Sequence, residues 1–380
     1  MNHLERFQAQ LKYCKEGVDD RYSLPFISYW DKSIYRQELS SLFCKQWIGL
    51  GRCDRLIESG EYEAFDLAGK SLLLIRDKEN TLRLFANTCR HRGAKLLKDS
   101  GQCQAISCPF HGWTYTLNGD LIAAKSMADT PNFDACDYPL HEYKLQQYCG
   151  FLFAHLGDSP SNLKRHLGGF SVLHQPWNLE NLVTTRRRTF EVDCNWKAFL
   201  DVFNEYYHLS HVHPTSIGNL YLEPEMAEST TGSYTTQFGR TKGTGALLEK
   251  QQQNSLPEIV GLSEPWRQGT RYTWMFPNMA FAAGQEALWL YEANPISPIS
   301  CRVTQSICFP KSTTMLNDFS EKSQAYYQRL DAAMAEDIVA LENQCQGLKN
   351  SPNMQGRFSS LMEANVHSFS QWYATHMLNH

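Results

Sequence analysis

Cys89-Arg90-His91 and Cys108-Pro109-Phe110-His111 are two short stretches that lie sixteen residues apart. Each stretch pairs one Cys with one His. Two thiolates and two imidazoles can hold either a tetrahedral zinc ion or a two-iron cluster in which His replaces Cys on one iron. Zinc fingers usually place like ligands together. Because both pairs here are mixed, the spacing favours the cluster, with structural zinc as the alternative.

The composition is that of an ordinary globular protein. The chain has 380 residues, of which 42% are hydrophobic and 20% charged, and this length suggests two or three domains. The formal net charge of -4 gives no electrostatic reason to expect nucleic acid as a partner. No apolar run approaches the ~20 residues that span a bilayer, and residues 1–6 are polar. We therefore expect a cytoplasmic protein without membrane contact.

Cysteine is frequent, with twelve residues. In a reducing compartment the cysteines outside the two pairs are expected to be free thiols. Cys103 lies between the pairs, but its offset fits neither of them. We therefore expect Cys103 to be a loop thiol.

Short strands and turns dominate residues 47–156. Residues 62–67 and 82–85 alternate between apolar and polar, and residues 71–75 are an apolar run. Asn118-Gly119 between residues 114–117 and 121–122 is a strong hairpin signal. The pattern predicts a small antiparallel β-domain that presents both Cys–His pairs in loops. Residues 157–161 are polar and mark its end.

The remainder of the chain mixes helix and strand. We expect helix over most of residues 1–40, over residues 195–211 and over residues 318–348. The expected strands are residues 272–276, 287–291 and 301–307. The fold class is therefore α+β, with an antiparallel sheet and long helices in the larger part.

A second metal site is indicated by Glu205, His208, His211 and His213. Two His and one carboxylate with open positions select non-haem Fe(II); the alternative is a solvated helix end. His208 and His211 share a helix face, whereas His208 and His213 lie roughly 140° apart on a regular helix. Pro214, however, should end the helix just before His213. Geometry alone leaves both pairs open.

The missing carboxylate is sought in the helix predicted over residues 318–348. One stripe of this helix carries Tyr327, Leu330, Met334, Asp337, Leu341, Gln344 and Leu348. A carboxylate on a buried stripe is costly unless it is paired or bound to metal. Asp337 is therefore either a metal ligand or a buried acid satisfied by other donors.

These motifs together resemble the α-subunits of Rieske non-haem iron oxygenases, which hydroxylate aromatic rings and related substrates. The likeness rests on the two Cys–His pairs with their flanking Arg92-Gly93 and Gly112-Trp113, on Asn195-Trp196-Lys197, and on the acid-x2-His-x4-His pattern. It implies a [2Fe–2S] cluster on Cys89, His91, Cys108 and His111, and a mononuclear Fe(II) on His208, His213 and Asp337. Glu336 stays possible in place of Asp337, and His211 is left outside the ligand set.

The resemblance also implies an architecture. Residues 1–45 would be a helical segment packed on the catalytic domain. Residues 46–157 would form the Rieske domain, and residues 158–380 a catalytic domain of helix-grip type. Family members assemble head to tail, usually as homotrimers, so that one subunit's cluster faces the next subunit's iron. Glu205 would then bridge the two centres by a hydrogen bond to His91 or His111 across the interface, a catalytic role.

The implied function is that of an oxygenase component using O2 and a small-molecule substrate. Because the chain has no Gly-x-Gly-x-x-Gly pattern, electrons would come from a separate reductase or ferredoxin. Glu205 and the C-terminal residues 356–373 resemble members acting on carnitine, betaine and related quaternary amines, which predicts N-methyl hydroxylation and demethylation. The alternatives are hydroxylation of an aromatic ring or acid, a Rieske electron-transfer protein and a zinc-binding interaction module.

The substrate pocket is the least determined feature. Its candidate lining is a set of aromatic residues, Trp274, Phe276, Phe281, Trp289 and Tyr291. An aromatic cage suits a quaternary ammonium through cation–π attraction. Aromatic residues in strands are more often plain core, so both interpretations stand.

Overall fold

The computed structural model describes residues 3–16 and 20–378. Residues 1–2 and 17–19, part of the helix predicted over residues 1–40, lie outside the described residues. So do residues 379–380. Mixed helix and antiparallel sheet confirm the predicted α+β class.

The N-terminal half is built from ten strands. They are β1 (Trp47–Arg52), β2 (Glu61–Leu67), β3 (Lys70–Arg76), β4 (Leu82–Ala86), β5 (Ser100–Gln102), β6 (Ile106–Ser107), β7 (Thr114–Tyr115), β8 (Leu121–Ala123), β9 (Glu142–Tyr148) and β10 (Phe151–His155). Seven of them form an antiparallel sheet in the order β1-β10-β9-β4-β3-β2-β5, and β6, β7 and β8 form a separate small sheet. The predicted strands at residues 62–67, 71–75 and 82–85 and the predicted hairpin at Asn118-Gly119 are confirmed.

The C-terminal half contains a second antiparallel sheet of seven strands. They are β11 (Leu182–Val192), β12 (Tyr221–Pro224), β13 (Tyr234–Thr241), β14 (Gly269–Met275), β15 (Met279–Ala283), β16 (Leu288–Ser297) and β17 (Ser300–Pro310), in the order β11-β17-β16-β15-β14-β13-β12. The side chain of Asn278 joins the two sheets, because it accepts from the Gly49 N–H at 2.9 Å and donates to the Gly49 carbonyl at 3.0 Å.

Eight α-helices surround these sheets in the part of the chain described. They are α1 (His3–Glu16), α2 (Lys32–Glu38), α3 (Leu163–Leu167), α4 (Phe170–Leu173), α5 (Trp196–Phe203), α6 (Leu209–Val212), α7 (Phe319–Leu348) and α8 (Ala364–Leu378). Short 3-10 or π-helical turns lie at Phe26–Tyr29, Leu39–Phe43, Ala135–Asp137, Gln175–Trp177, Leu179–Asn181, Glu249–Asn254, Trp266–Gln268 and Thr313–Met315. None of the helices in the described ranges is long and apolar enough to cross a membrane.

The helix predicted over residues 195–211 is wrong as a single element. Helix α5 ends at Phe203, α6 begins at Leu209, and the residues between them are not helical. The Asn204 side chain donates to the Leu200 carbonyl at 2.7 Å, and the Tyr206 N–H donates to the Met362 carbonyl at 2.9 Å. These bonds replace the helical ladder, as expected where an Asn side chain competes for the backbone.

Helix α7 confirms the predicted long helix, but the residues on its buried face differ in part from the predicted stripe. Leu341 and Leu348 are buried as expected, whereas Gln344 is exposed and Cys345 is buried in its place. A strict alternation of three and four drifts relative to a helix of 3.6 residues per turn. Over thirty residues the buried face therefore moves to the neighbouring position.

A buried ion pair connects the N-terminal helices to α5. Lys197 Nζ lies 2.7 Å from Glu38 Oε1, and both side chains are fully buried. Trp196 Nε1 and the Tyr373 hydroxyl also donate to the Glu38 carboxylate, at 3.1 and 2.5 Å. Burial lowers the pKa of Lys197, and the charge of Glu38 offsets part of that effect. The Asn-Trp-Lys motif is therefore a structural anchor immediately before the histidine-bearing segment.

We expect Lys197→Met to lower the free energy of unfolding by about 3 kcal/mol, because it leaves the Glu38 carboxylate buried without its cation. Denaturant unfolding followed by tryptophan fluorescence measures this change. Combining the variant with Glu38→Gln should recover part of the loss. Lys322→Met breaks an exposed pair with Asp318 and should cost less than about 1 kcal/mol. Equal stability of Lys197→Met and the parent would contradict the anchoring role.

Candidate metal centres

The two Cys–His loops, residues 89–94 and 108–113, are built alike. In each loop the Cys N–H donates to the carbonyl five residues later, at 2.8 Å for both Cys89 and Cys108. The glycine four residues after each Cys donates its N–H back to the Cys carbonyl. Gly93 and Gly112 have φ of +75° and +72°, a conformation that glycine adopts without strain. These two glycines therefore allow two tight loops of the same conformation.

In both loops the Cys side chain is buried and the His side chain lies closer to the surface. Cys89 and Cys108 are buried, His91 is half-buried and His111 is exposed. The two imidazole centroids lie 4.7 Å apart, and the Trp113 ring stacks on His91 at 4.8 Å. The buried Nδ1 of His91 has no hydrogen-bond partner. This arrangement suits a two-iron cluster with thiolates on the inner iron and imidazoles on the outer one.

Tyr115 lies behind the first loop. Its hydroxyl is 3.4 Å from Cys89 Sγ and accepts from the Arg90 N–H at 3.0 Å. Burial raises the pKa of this phenol, and the contact with Cys89 raises it further. A neutral hydroxyl can therefore donate to a thiolate at Cys89. Sequence reasoning missed this residue, although it lies two positions after the quoted Trp113.

The second site brings together three side chains from distant parts of the sequence. Asp337 Oδ1 lies 3.0 Å from His213 Nε2 and 3.6 Å from His208 Nε2. Among the described residues this is the one group of three or more His, Cys, Asp or Glu whose ligand atoms all lie within 4.8 Å of one another.

The local chain explains why His208 and His213 point to the same place. His208 precedes the first residue of the short helix α6, and His213 follows its last residue with φ −115° and ψ 43°. His213 thus leaves the helix just before Pro214, as predicted. His211 lies within α6 and is exposed. The structure thus brings His208 and His213 together beside Asp337 and leaves His211 apart from them.

A carboxylate holds the outer nitrogen of each histidine. Glu205 Oε1 lies 2.5 Å from His208 Nδ1, and Glu336 Oε2 lies 2.6 Å from His213 Nδ1. The other Glu205 oxygen accepts the backbone N–H groups of Tyr207 and His208. Histidines that bind metals usually donate their second N–H to such a carboxylate. Both imidazoles are thereby oriented with Nε2 toward Asp337.

Glu336 thus faces His213 from the side opposite to Asp337. Ser216 also donates to Glu336 Oε2, at 2.6 Å. Sequence analysis gave Glu336 as an alternative iron ligand to Asp337 and did not predict its hydrogen bond to His213. The usable signal was the adjacency of two acids, since consecutive helix positions point about 100° apart and can hold one imidazole between them.

Asp337 is the residue whose environment most suits a metal ion. Its Oδ1 is buried and makes no hydrogen bond, even though two imidazole nitrogens are near it. The three ligand atoms therefore converge on shared space. Burial by itself lowers the pKa of His208, but the Glu205 hydrogen bond and the charges of Glu205 and Asp337 outweigh it and raise that pKa. The donor set, two imidazoles and one carboxylate, is that of non-haem Fe(II) sites.

A small cavity opens beside these three side chains. Its volume is about 30 Å3, room for one or two water molecules. Every lining residue lies between positions 202 and 337: Val202, Phe203, Glu205, Tyr206, His208, Leu209, His213, Ile217, Tyr272, Tyr291, Arg329, Ala333 and Asp337. Neither Cys–His loop contributes to the cavity.

Of the five aromatic residues predicted to line a pocket, only Tyr291 lines this cavity. Trp274 and Phe276 pack on Phe369, and Phe281 packs on Phe151. Trp289 is likewise fully buried. The plain-core interpretation therefore holds for those four. Cys103 lies in a loop and is a free thiol, as predicted.

Two parts of the chain match the models of known protein families. Residues 46–134 match the model of the Rieske [2Fe-2S] domain. Residues 179–379, more than half of the chain, match the model of the ring hydroxylating alpha subunit (catalytic domain). The chain belongs to the ring hydroxylating alpha subunit family. A member with both domains binds one [2Fe–2S] cluster and one mononuclear iron, and the donor sets described above fit both groups.

Relatives refine this placement. The chain is 28% identical to the carnitine monooxygenase oxygenase subunit of Acinetobacter baumannii over 64% of its own length and 66% of that subunit. It is 26% identical to the chloroplastic choline monooxygenase of Beta vulgaris over 93% of this chain and 77% of that protein. It thus spans just under two thirds of the first of these relatives.

A solved structure shares the fold. A quaternary ammonium Rieske monooxygenase in complex with an inhibitor superposes with a TM-score of 0.81, covering 97% of this chain and 98% of that one at 23% identity.

We expect His213→Ala to lose the mononuclear iron and keep the cluster, because it removes one of three converging ligand atoms. Iron content should fall from about three to about two atoms per chain, with the visible spectrum of the cluster unchanged. His211→Ala, at an exposed position two residues away, is the matched control and should retain all of the iron. The reverse ranking of the two variants would contradict the pairing of His208 with His213.

Proposed function

We propose that this chain is the oxygenase component of a Rieske non-haem iron oxygenase system that oxidises a small quaternary amine. The observation that carries the proposal is the convergence of His208, His213 and Asp337 beside a cavity. Three protein ligands on one side leave positions open on the other, as O2 chemistry at Fe(II) requires. A Rieske electron-transfer protein would need no second site of this kind.

The residue assignments are part of the proposal. His208, His213 and Asp337 bind the mononuclear iron, and Asp337 is thus also a catalytic residue. Cys89 and Cys108 hold the inner iron of the cluster, and His91 and His111 the outer iron. We further propose the division into an N-terminal segment (1–45), a Rieske domain (46–157) and a catalytic domain (158–380). The packing of α1 on α8 supports it, as does the polar loop that follows β10.

The bound groups supply the redox chemistry: the cluster passes single electrons, and the iron activates O2. The protein's own part is orientation and exclusion of water. Glu205 and Glu336 keep the proton on Nδ1 of His208 and His213, so that Nε2 of each is free to bind metal. Phe203, Tyr272 and Tyr291 close the cavity, with Phe203 packed on both tyrosines at centroid distances of 5.3 and 4.6 Å.

The substrate class follows from relatives whose names specify carnitine and choline. Hydroxylation of an N-methyl carbon consumes O2, two electrons and two protons and releases water. The resulting carbinolamine loses formaldehyde and a proton to leave a tertiary amine. Hydroxylation of an aromatic ring or aromatic acid is the second candidate, supported by the family's description.

Partners and assembly complete the proposal. Electrons come from a separate reductase or ferredoxin. We propose a head-to-tail homotrimer, because no Cys–His loop lines the cavity of its own chain and a rotational assembly can supply one from a neighbour. Glu205 then accepts a hydrogen bond from His91 or His111 of the next subunit in addition to its bond with His208. The ten cysteines outside the two Cys–His pairs form no disulfide, which supports a reducing, cytoplasmic location.

The test is substrate-dependent oxygen consumption by the reconstituted protein with a surrogate reductase, using carnitine, glycine betaine, choline and benzoate. We expect at least one quaternary amine to stimulate oxygen uptake with formaldehyde as a product. Stimulation by benzoate alone would shift the assignment to the aromatic class. A protein that accepts electrons but consumes no oxygen with any of the substrates would contradict the oxygenase proposal.

Glu205→Gln separates assembly from iron binding. The amide oxygen can still accept from His208 Nδ1, although the amide nitrogen cannot accept the Tyr207 and His208 N–H groups. Both iron centres should still load, and chemical reductants should still reduce the cluster. Product in a single turnover should fall by roughly two orders of magnitude or more, since the charged bridge between subunits is lost. Near-normal turnover in this variant, or an active monomer, would contradict the bridging role.

A further inference from the structure

Arg329 is a buried cation at the wall of the iron cavity. Only 3% of the residue is exposed, and it lies on α7 among the residues that line the cavity. Its Nη2 donates to the Tyr221 hydroxyl at 3.1 Å, and the guanidinium lies 5.0 Å from the Trp289 ring centroid. The Nε atom has no hydrogen-bond partner. The tyrosine and the indole hold the group in place without neutralising its charge.

The missing counter-charge distinguishes Arg329 from other buried cations. Lys197 has Glu38 at 2.7 Å, and Arg271 has Glu228 at 2.6 Å. Within residues 3–16 and 20–378, no carboxylate forms a salt bridge with Arg329. A buried charge is costly unless it is paired. A ligand that carries an anionic group would therefore complete this site.

Helix geometry directs Arg329 toward the same space as the iron ligands. Arg329, Ala333 and Asp337 follow one another at intervals of four residues, and all three line the cavity. Arg329 and Asp337 are separated by about 12 Å along the helix axis. Ala333 lies between them and has only a methyl side chain. The α7 face thus presents a cation at one end, a metal-binding carboxylate at the other and little bulk between.

Aromatic rings also line the cavity. Phe203, Tyr272 and Tyr291 can face an ammonium group by cation–π attraction. A simple cation in this cavity would be repelled by Arg329, whereas a zwitterion can place its ammonium at the rings and its carboxylate at the guanidinium. Because the cavity holds only about 30 Å3, some lining side chains must move as such a ligand binds.

We propose that Arg329 determines specificity by binding a carboxylate of the substrate, so that the amine oxidised here is a zwitterion rather than a simple cation. The inference rests on the proposed function for its reaction, but the carboxylate site itself does not depend on the amine. A requirement for a carboxylate distinguishes the betaines, which carry one, from choline, which does not. Both kinds of amine are among those that the relatives' names suggest.

The test is anaerobic calorimetric titration of the iron-loaded protein with glycine betaine, γ-butyrobetaine, choline and benzoate. Glycine betaine and choline have nearly the same skeleton and differ in carboxylate against hydroxymethyl. We expect at least one betaine to bind the parent protein about tenfold or more tightly than choline. Arg329→Gln should weaken that betaine about 100-fold and change choline by less than about threefold. Arg329→Lys keeps the charge and should fall between.

Arg240→Gln is the matched control, because it makes the same substitution at an exposed arginine that pairs with Glu225 and does not line the cavity. Its affinity for the betaine should stay within about threefold of the parent. An Arg329→Gln protein that is folded, iron-loaded and binds the betaine as tightly as the parent would overturn the proposal. So would a parent protein that binds choline as tightly as both betaines, or that binds no carboxylate probe. If Arg329→Gln does not fold, the comparison of ligands on the parent protein decides.

The outcomes also separate this inference from the proposed function. Binding and oxidation of choline in preference to the betaines would keep the amine oxygenase and remove the role of Arg329. Binding of benzoate that is lost in Arg329→Gln, without binding of any amine, would keep the carboxylate site and move the substrate to the aromatic acids.

Discussion

Two short contacts behind the metal-binding imidazoles are the constraint on which the catalytic site depends. Glu205 holds His208 at 2.5 Å, and Glu336 holds His213 at 2.6 Å, each through Nδ1. With the outer nitrogens engaged, both Nε2 atoms can face Asp337 and a common point. The two carboxylates come from different elements, the loop between α5 and α6 and the middle of α7. The site therefore exists only when α7 is packed against that loop.

The break between α5 and α6 is what makes this packing possible. A continuous helix would keep His208 and His213 roughly 140° apart, whereas the loop at residues 204–208 and the end of α6 let both side chains turn the same way. Helix α5 itself is fixed by the buried pair of Lys197 and Glu38. The N-terminal helices thus support a site to which they contribute no ligand.

The sequence predicted the Cys–His loops well because their chemistry is local. Each mixed pair is followed by a glycine and lies in a tight loop, in which Gly93 and Gly112 have positive φ. The α+β class and the strands near these loops followed from short-range patterning. The choice of His213 over His211 needed Pro214 and the family resemblance, since helix spacing favoured neither.

The features that sequence did not reveal depend on tertiary contacts. The helix is interrupted after Phe203 because the Asn204 side chain bonds the Leu200 carbonyl and the Tyr206 N–H bonds the carbonyl of the distant Met362. From the sequence, Glu336 was an alternative to Asp337 as an iron ligand, whereas in the structure its side chain bonds the outer nitrogen of His213. Sequence analysis did not single out Arg329, and only the folded structure shows that it is buried beside the cavity.

The assignment of both metal centres is tested most directly by anomalous scattering from crystals of the iron-loaded protein at the iron absorption edge. We predict one peak where His208, His213 and Asp337 converge and a stronger, elongated peak between the two Cys–His loops. A zinc signal between the loops, or no iron beside Asp337, would contradict the account.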